Sequence, residues 1–253
     1  MENYDQSVNN YEQHIQQARS LFKASKIVNT LAPIDNELGP VDNELLELFL
    51  INFCAFGVGM TEPVEGWVRR AGERCEAIGL RDLGQALKLH AKHEANHHLM
   101  MIEDTKSLVA FWNARRKGER LDAEKLLARP IPAGVVQYQK LHEDIIGSTA
   151  PYKQIAVEYE IELLSVNYGP VLIEQCVRKL GPEVLGRLSF IQDHVAIDVG
   201  HTTFNRRELG KFLAAHPDYL DNLVDGGTEA IGAYQKYLED CLIAAQNLQK
   251  VHV

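Results

Sequence analysis

His194-Val195-Ala196-Ile197-Asp198-Val199-Gly200-His201 is the stretch on which the reading of this chain turns. Wound as an α-helix, it places His194, Asp198 and His201 at i, i+4 and i+7, on one face. Two imidazoles and a carboxylate on one face are a donor set that Fe, Mn or Zn accepts. The residues between them are mostly apolar, and Phe190 and Ile191 precede them, so much of the helix circumference is expected to be buried. Burying the three polar side chains without partners would cost roughly several kcal/mol, so something must satisfy them. A metal does so directly. A polar core network, in which both histidines bond Asp198, or a solvated stripe would do so without one.

A second helical segment, His90-Ala91-Lys92-His93-Glu94-Ala95-Asn96-His97-His98, strengthens the metal reading. Glu94 and His97 form an ExxH pair, and carboxylate-bridged dimetal bundles use such a pair with a glutamate from a facing helix. One helix face cannot bring all four histidines to one metal. His90 and His98 are expected to be bystanders, and His93 stays open. A third segment offers Glu158, Glu160 and Glu162. Glu162 shares a face with Ile155, Tyr159 and Val166 and is expected to point inward. Glu158, one turn earlier, is its substitute, and Glu160 is expected to face solvent. Glu62 and Glu65 are weaker candidates, because the helix dipole already favours acids in a first turn.

Helical periodicity extends over nearly the whole chain, with no convincing strand alternation and no internal repeat. A polar helix is expected over 4–24, then one capped at Asp42 and running to about Gly57. Thr61 is expected to cap a helix to Gly79, with Pro63 in its first turn. A long helix follows from Arg81 to Lys117, stopping at Gly118, then a short one over 124–128 and another over 134–146. Pro151 opens a helix to Leu180 with a kink near Gly169, ahead of Pro170. Pro182 opens the helix that carries His194, and Gly226-Gly227-Thr228 precedes the last, which runs to about Gln249. The expectation is one all-α domain over residues 1–253, with about seven main helices.

With 253 residues the chain can bury a sizeable core. Its net charge of −9 and the lack of a basic patch argue against nucleic acid and against an anionic membrane surface. The apolar run Leu48–Met60 is too short to span a bilayer. Cys54, Cys75, Cys176 and Cys241 show no CxxC spacing and read as reduced thiols. The polar N-terminus is not a signal peptide, so a cytoplasmic protein is expected. The apolar helix Leu45–Phe56 would serve a homodimer interface as well as a core.

The order ExxH, inward Glu, HxxxDxxH in an all-helical chain of this length resembles the heme-oxygenase-like diiron oxidases and oxygenases. The resemblance spans most of the chain in helix order and rests on Glu94, His97, Glu162, His194, Asp198 and His201. It implies that these six hold two irons, with Glu162 as the bridge, and that O₂ is co-substrate. The implied activity is N-oxygenation, desaturation or oxidative C–C cleavage of a small amino acid or carboxylic acid, including nitrile or alkene formation. It would run through a peroxo-diferric intermediate, with an external electron donor as an added partner. Arg69, Arg70, Arg187, Arg206 and Arg207 are candidates to hold a substrate carboxylate, and Tyr159 and Tyr168 to line the pocket. Other readings are a heme protein using His14, a metal-free thiaminase-like or pyrroloquinoline-quinone-synthase-like enzyme, or a non-enzymatic metal-binding or interaction protein. The thiaminase-like reading would require Cys54 as nucleophile.

Overall fold

The computed structural model describes residues 2–33, 38–117 and 120–252, and the helical patterning of the sequence is realised throughout them. Eleven α-helices occur among these residues, and no strand. They are α1 (Glu2–Lys23), α2 (Lys26–Leu31), α3 (Asn43–Thr61), α4 (Val64–Ala77), α5 (Arg81–Ala91), α6 (His97–Arg115), α7 (Ala123–Leu127), α8 (Ala133–Gly147), α9 (Gln154–Leu180), α10 (Ser189–Ala215) and α11 (Leu220–His252). Three short 3₁₀ segments, Pro151–Lys153, Pro182–Arg187 and Pro217–Tyr219, each open on a proline. The count exceeds the expected seven because short helices flank the long ones and one expected helix is split. The expected stop at Gly118 lies outside the described residues.

Helix α3 explains the arrangement. Its residues from Leu46 to Gly57 are buried on every side, as a helix apolar all round must be. Asp42 caps it, Oδ1 accepting from the Leu45 backbone N–H at 2.8 Å. Helices α6 and α11 pack against α3, and α11 also contacts α1, α8 and α9. α9 lies along α10, and α4 against α5. One cluster of buried apolar side chains takes members from all eleven helices. The span Asn43–Ala77 is long and apolar enough to cross a membrane, but 72% of its most apolar window is buried inside the protein. That burial leaves no free face on Leu46–Phe56 for the expected dimer contact.

Several boundaries differ from the sequence reading for physical reasons. α3 runs on to Thr61, and Pro63 rather than Thr61 occupies the cap of α4. Pro182 starts a 3₁₀ segment, and α10 begins only at Ser189. α9 continues through Pro170, and a Cβ on Gly169 would stand 2.3 Å from Val195 Cγ2, so this glycine lets α9 and α10 approach. The expected helix from Arg81 to Lys117 breaks between Ala91 and His97. Its first part closes with tight bonds from His93 N to His90 O (2.8 Å) and Glu94 N to Ala91 O (3.1 Å). Asn96 then takes a left-handed conformation (φ 70°), which asparagine tolerates better than most residues.

Gly226 and Gly227 lie inside α11 instead of preceding it. A Cβ on Gly227 would meet Tyr11 Oη at 2.4 Å and Glu160 Cγ at 3.0 Å. Here Glu160, expected on the solvent face, is fully buried. Arg19 of α1 grips it with two bonds of 2.8 and 2.7 Å, and Tyr11 donates a third at 3.1 Å. α1 and α11 cover a face that periodicity alone assigned to water.

Candidate metal centre

Four segments converge at the inner end of α10. Helix α10 projects His194, Asp198 and His201, while α9 projects Glu158 and Glu162 one turn apart. His90 comes from the last turn of α5, Glu94 from the break after it, and His97 from the first turn of α6. The break is what lets neighbours in sequence face different partners. Two groups of donors result: His90, Glu94, Glu162 and His201 in one, and Glu94, His97 and His194 in the other. Within each, the donor atoms lie within 4.8 Å of one another.

Glu94 belongs to both groups, with one oxygen facing each. Its Oε1 is 3.7 Å from His90 Nε2 and 3.7 Å from His201 Nδ1, and its Oε2 is 3.1 Å from His97 Nδ1. Glu94 is thus the carboxylate shared by the two groups, whereas Glu162, the expected bridge, sits in the first group alone. Its Oε1 lies 3.1 Å from His90 Nε2 and 3.4 Å from His201 Nδ1, and its Oε2 accepts from Asn205 Nδ2 at 2.6 Å. His90, expected as a bystander, is inside the cluster and almost wholly buried. Glu158 stands beside it, Oε2 at 3.4 Å from His90 Nε2. Asp198 lies outside both groups but is buried and 3.5 Å from His201 Nδ1.

The remaining candidates are not gathered here. His93 is exposed, its ring 5.5 Å from that of His201, and His98 is in neither group. Glu62 is exposed, and Glu65 pairs with Arg69. His14 is exposed and bonded to the Asn10 carbonyl, on a surface unsuited to enclosing a heme. Cys54 is fully buried, and burial pushes its thiol well above the ordinary range, which makes it a poor nucleophile.

His90 Nε2, His97 Nδ1, His201 Nδ1 and Glu162 Oε1 are buried and make no hydrogen bond. At these separations opposite charges attract, but the angles serve no hydrogen bond. Buried polar atoms left this way are costly unless something between them satisfies them, and one cation in each donor group would satisfy all four. Imidazole with carboxylate suits Fe, Mn or Zn, so these residues fit a dinuclear centre. Protonation tells the same story. Burial would lower His90, but Glu158 and Glu162 hold it well above its ordinary value. Asp198 and Glu162 raise His201 to about 9. Burial works to raise Glu94, yet His97 and His90 draw it down to about 2. Protons on histidine supply the positive charge that a metal would replace.

Neighbouring groups fix the ligand orientations. His194 Nδ1 bonds the Phe190 carbonyl at 2.7 Å, which points Nε2 at the cluster. Burial lowers the pKa of His194, favouring the neutral imidazole that ligates metal. Asp104 of α6 caps the start of α10, accepting from Ser189 N at 3.1 Å and Phe190 N at 2.9 Å. Asp104→Ala is expected to cost about 2 kcal/mol in urea unfolding, since it strands buried N–H groups as well as removing a cap.

The cluster opens on a cavity of about 160 Å³. Glu94, Glu158, Glu162, His194 and Asp198 form its polar end, and Phe49, Phe53, Met101, Ile161, Phe190 and Tyr234 are among its apolar walls. Tyr168 lines it, but Tyr159 instead donates to Glu12. No arginine or lysine lines it among the described residues. Arg69, Arg70, Arg206 and Arg207 pair with Glu73, Glu143, Glu12 and Glu208, and Arg187 covers the Phe111 ring. None of the five is placed to hold a substrate in this cavity.

Fold and site together define an all-α protein with a buried histidine–carboxylate cluster at the end of an apolar cavity. A solved structure titled as a domain of unknown function with a heme oxygenase-like fold, from Shewanella denitrificans OS217, superposes with a TM-score of 0.66. The alignment covers 95% of this chain and 94% of that one at 16% identity, which establishes the heme-oxygenase-like fold. No family model and no curated protein matches the chain.

Proposed function

We propose that this chain is an O₂-dependent non-heme diiron oxidase or oxygenase acting on a small substrate with an apolar body. The observation that carries this reading is the pair of donor groups sharing Glu94, with buried, unsatisfied atoms aimed between them. Glu94, His97 and His194 would hold one iron, and Glu94, His90, Glu162 and His201 the other. Asp198 and Glu158 stand by as further carboxylates. Bound there, two irons would supply O₂ activation and the oxidising equivalents for N-oxygenation, desaturation or C–C cleavage.

The residues of the chain do the rest. Phe49, Phe53 and Phe190 exclude water from the reacting end and grip an apolar body. With no arginine or lysine lining the cavity among the described residues, a substrate carboxylate would find positive charge only at the centre, so it would enter head first. The ammonium of an amino acid would meet Glu158 or Asp198. This narrows the expected class to small monocarboxylic acids and apolar amino acids.

Metal analysis after anaerobic loading with Fe(II) tests the reading. The wild type is expected to hold about two irons and to consume O₂ with a substrate acid. His90→Ala should keep the iron of the other group and lose its own. A wild-type chain that stays metal-free, or a His194→Ala variant indistinguishable from it in iron and O₂ uptake, overturns the proposal.

A further inference from the structure

A stack of three aromatic rings joins this site to the surface on the side of α4 and α8. The Trp67 indole lies flat on the His142 imidazole, with centroids 4.4 Å apart and planes within 7°. Tyr138 meets both edge-on, 4.6 Å from His142 and 6.2 Å from Trp67. All three are buried. Inward, Tyr138 lines the cavity that Glu94, Glu158 and Glu162 share. A second inward link starts at His142, whose Nδ1 is 2.9 Å from Gln154 Nε2. That amide donates to Glu158 Oε1 at 2.6 Å, and Glu158 Oε2 is 3.4 Å from His90 Nε2. Outward, Trp67 Nε1 donates to Glu143 Oε1 at 2.9 Å. The Glu143 side chain is 51% exposed and held on both oxygens by Arg70.

Packing alone does not account for His142. Its Nε2 is buried without a hydrogen bond, a loss that a phenylalanine in the same space would avoid. Its stacking, its tie to Glu158 and its place under Trp67 give it another use.

We infer that Trp67, His142 and Tyr138 form an electron-entry route from the Glu143 surface to the centre. The inference rests on the diiron reading above. Trp67 would give one electron inward through the stacked rings to the oxidant that O₂ and two irons would form at the centre, lowering that oxidant by one oxidising equivalent. Its Nε1 proton passes along the existing hydrogen bond to the Glu143 carboxylate, leaving a neutral indolyl radical. An outside one-electron reductant then restores the indole, and the proton returns from Glu143. No carbon bond is made or broken.

The test uses iron-loaded full-length protein, with iron content and thermal melting measured on every sample. Exposed to O₂ without reductant and freeze-quenched, wild type is expected to show a neutral tryptophanyl radical by electron paramagnetic resonance. Trp67→Phe should lose that signal, and Trp112→Phe, which changes the other tryptophan, should keep it. With ascorbate added, the wild-type radical signal should fall below its level without reductant, because the outside donor restores the indole. Glu143→Gln leaves the buried stack untouched and should abolish the neutral radical, which keeps the test decisive if Trp67→Phe does not fold. An iron-loaded wild type that consumes O₂ but shows no such radical, or a Trp67→Phe variant that still shows it, overturns the route alone. A wild type that binds no iron overturns the diiron reading and the route with it.

Discussion

On the diiron proposal, Glu94→Ala is expected to weaken iron binding in both halves of the centre at once. The other ligands each belong to one donor group, and only Glu94 presents an oxygen to each. Losing both oxygens leaves His97 and His194 alone on one side. On the other it removes a carboxylate from between His90 and His201. A two-ligand remnant does not satisfy an ion that prefers four to six donors, and the other group keeps only His90, Glu162 and His201, so iron content by elemental analysis should fall from about two to below one. Glu94→Gln sharpens the test, because its amide keeps one oxygen donor and turns the other position into N–H. It should retain at most one iron. If Glu94→Ala still held both irons, the bridge would lie elsewhere, and Glu162 would be the residue to examine. Asn205→Leu is a useful companion, since it frees Glu162 Oε2 without touching a donor and should weaken metal affinity by roughly 10–100-fold.

Arg19→Met should destabilise the fold by about 3–5 kcal/mol while leaving the metal donors in place. Arg19 is the cationic partner of Glu160, whose side chain is 1% exposed against 19% for the arginine. Without Arg19, that carboxylate must stay charged in a dry environment with Tyr11 as its only donor, or take up a proton. For a domain whose total stability is about 5–15 kcal/mol, such a loss is severe. Urea unfolding measures it directly. The double variant Arg19→Met with Glu160→Met should recover most of the loss, because a buried pair replaced by apolar side chains is close to neutral. A single-variant loss below about 1 kcal/mol would mean that water reaches Glu160 and screens the pair.

These two residues mark the reach and the limit of the sequence. The shared face of His194 and His201 was legible because polar side chains at helical spacing among apolar neighbours have few uses; Asp198, read on the same face, is buried beside them but falls outside both donor groups. Their convergence with the Glu94–His97 pair and Glu162 followed from the same reasoning. The role of His90 was not legible. Counting faces on an unbroken helix leaves it surplus, but the chain turns at Asn96, and that turn carries no glycine or proline to announce it. The i,i+4 spacing of His90 and Glu94 was the one available signal. Glu160 failed differently. Its neighbours in sequence suit a solvated face, and only the closing of α1 and α11 over it, through Gly227, makes that face interior. The start of α11 was misplaced by the same glycine pair, since close helix approach and a helix boundary favour the same residue type.

A cavity lined by no arginine or lysine among the described residues sets a rule of electrical neutrality. Glu94, Glu158, Glu162 and Asp198 bring four negative charges to its polar end, which two divalent ions would balance. A monoanion entering such a pocket adds a single excess charge, and a dianion adds two, with no arginine or lysine to offset them in a poorly screened interior. Discrimination between mono- and dicarboxylates is thus built into what the walls lack.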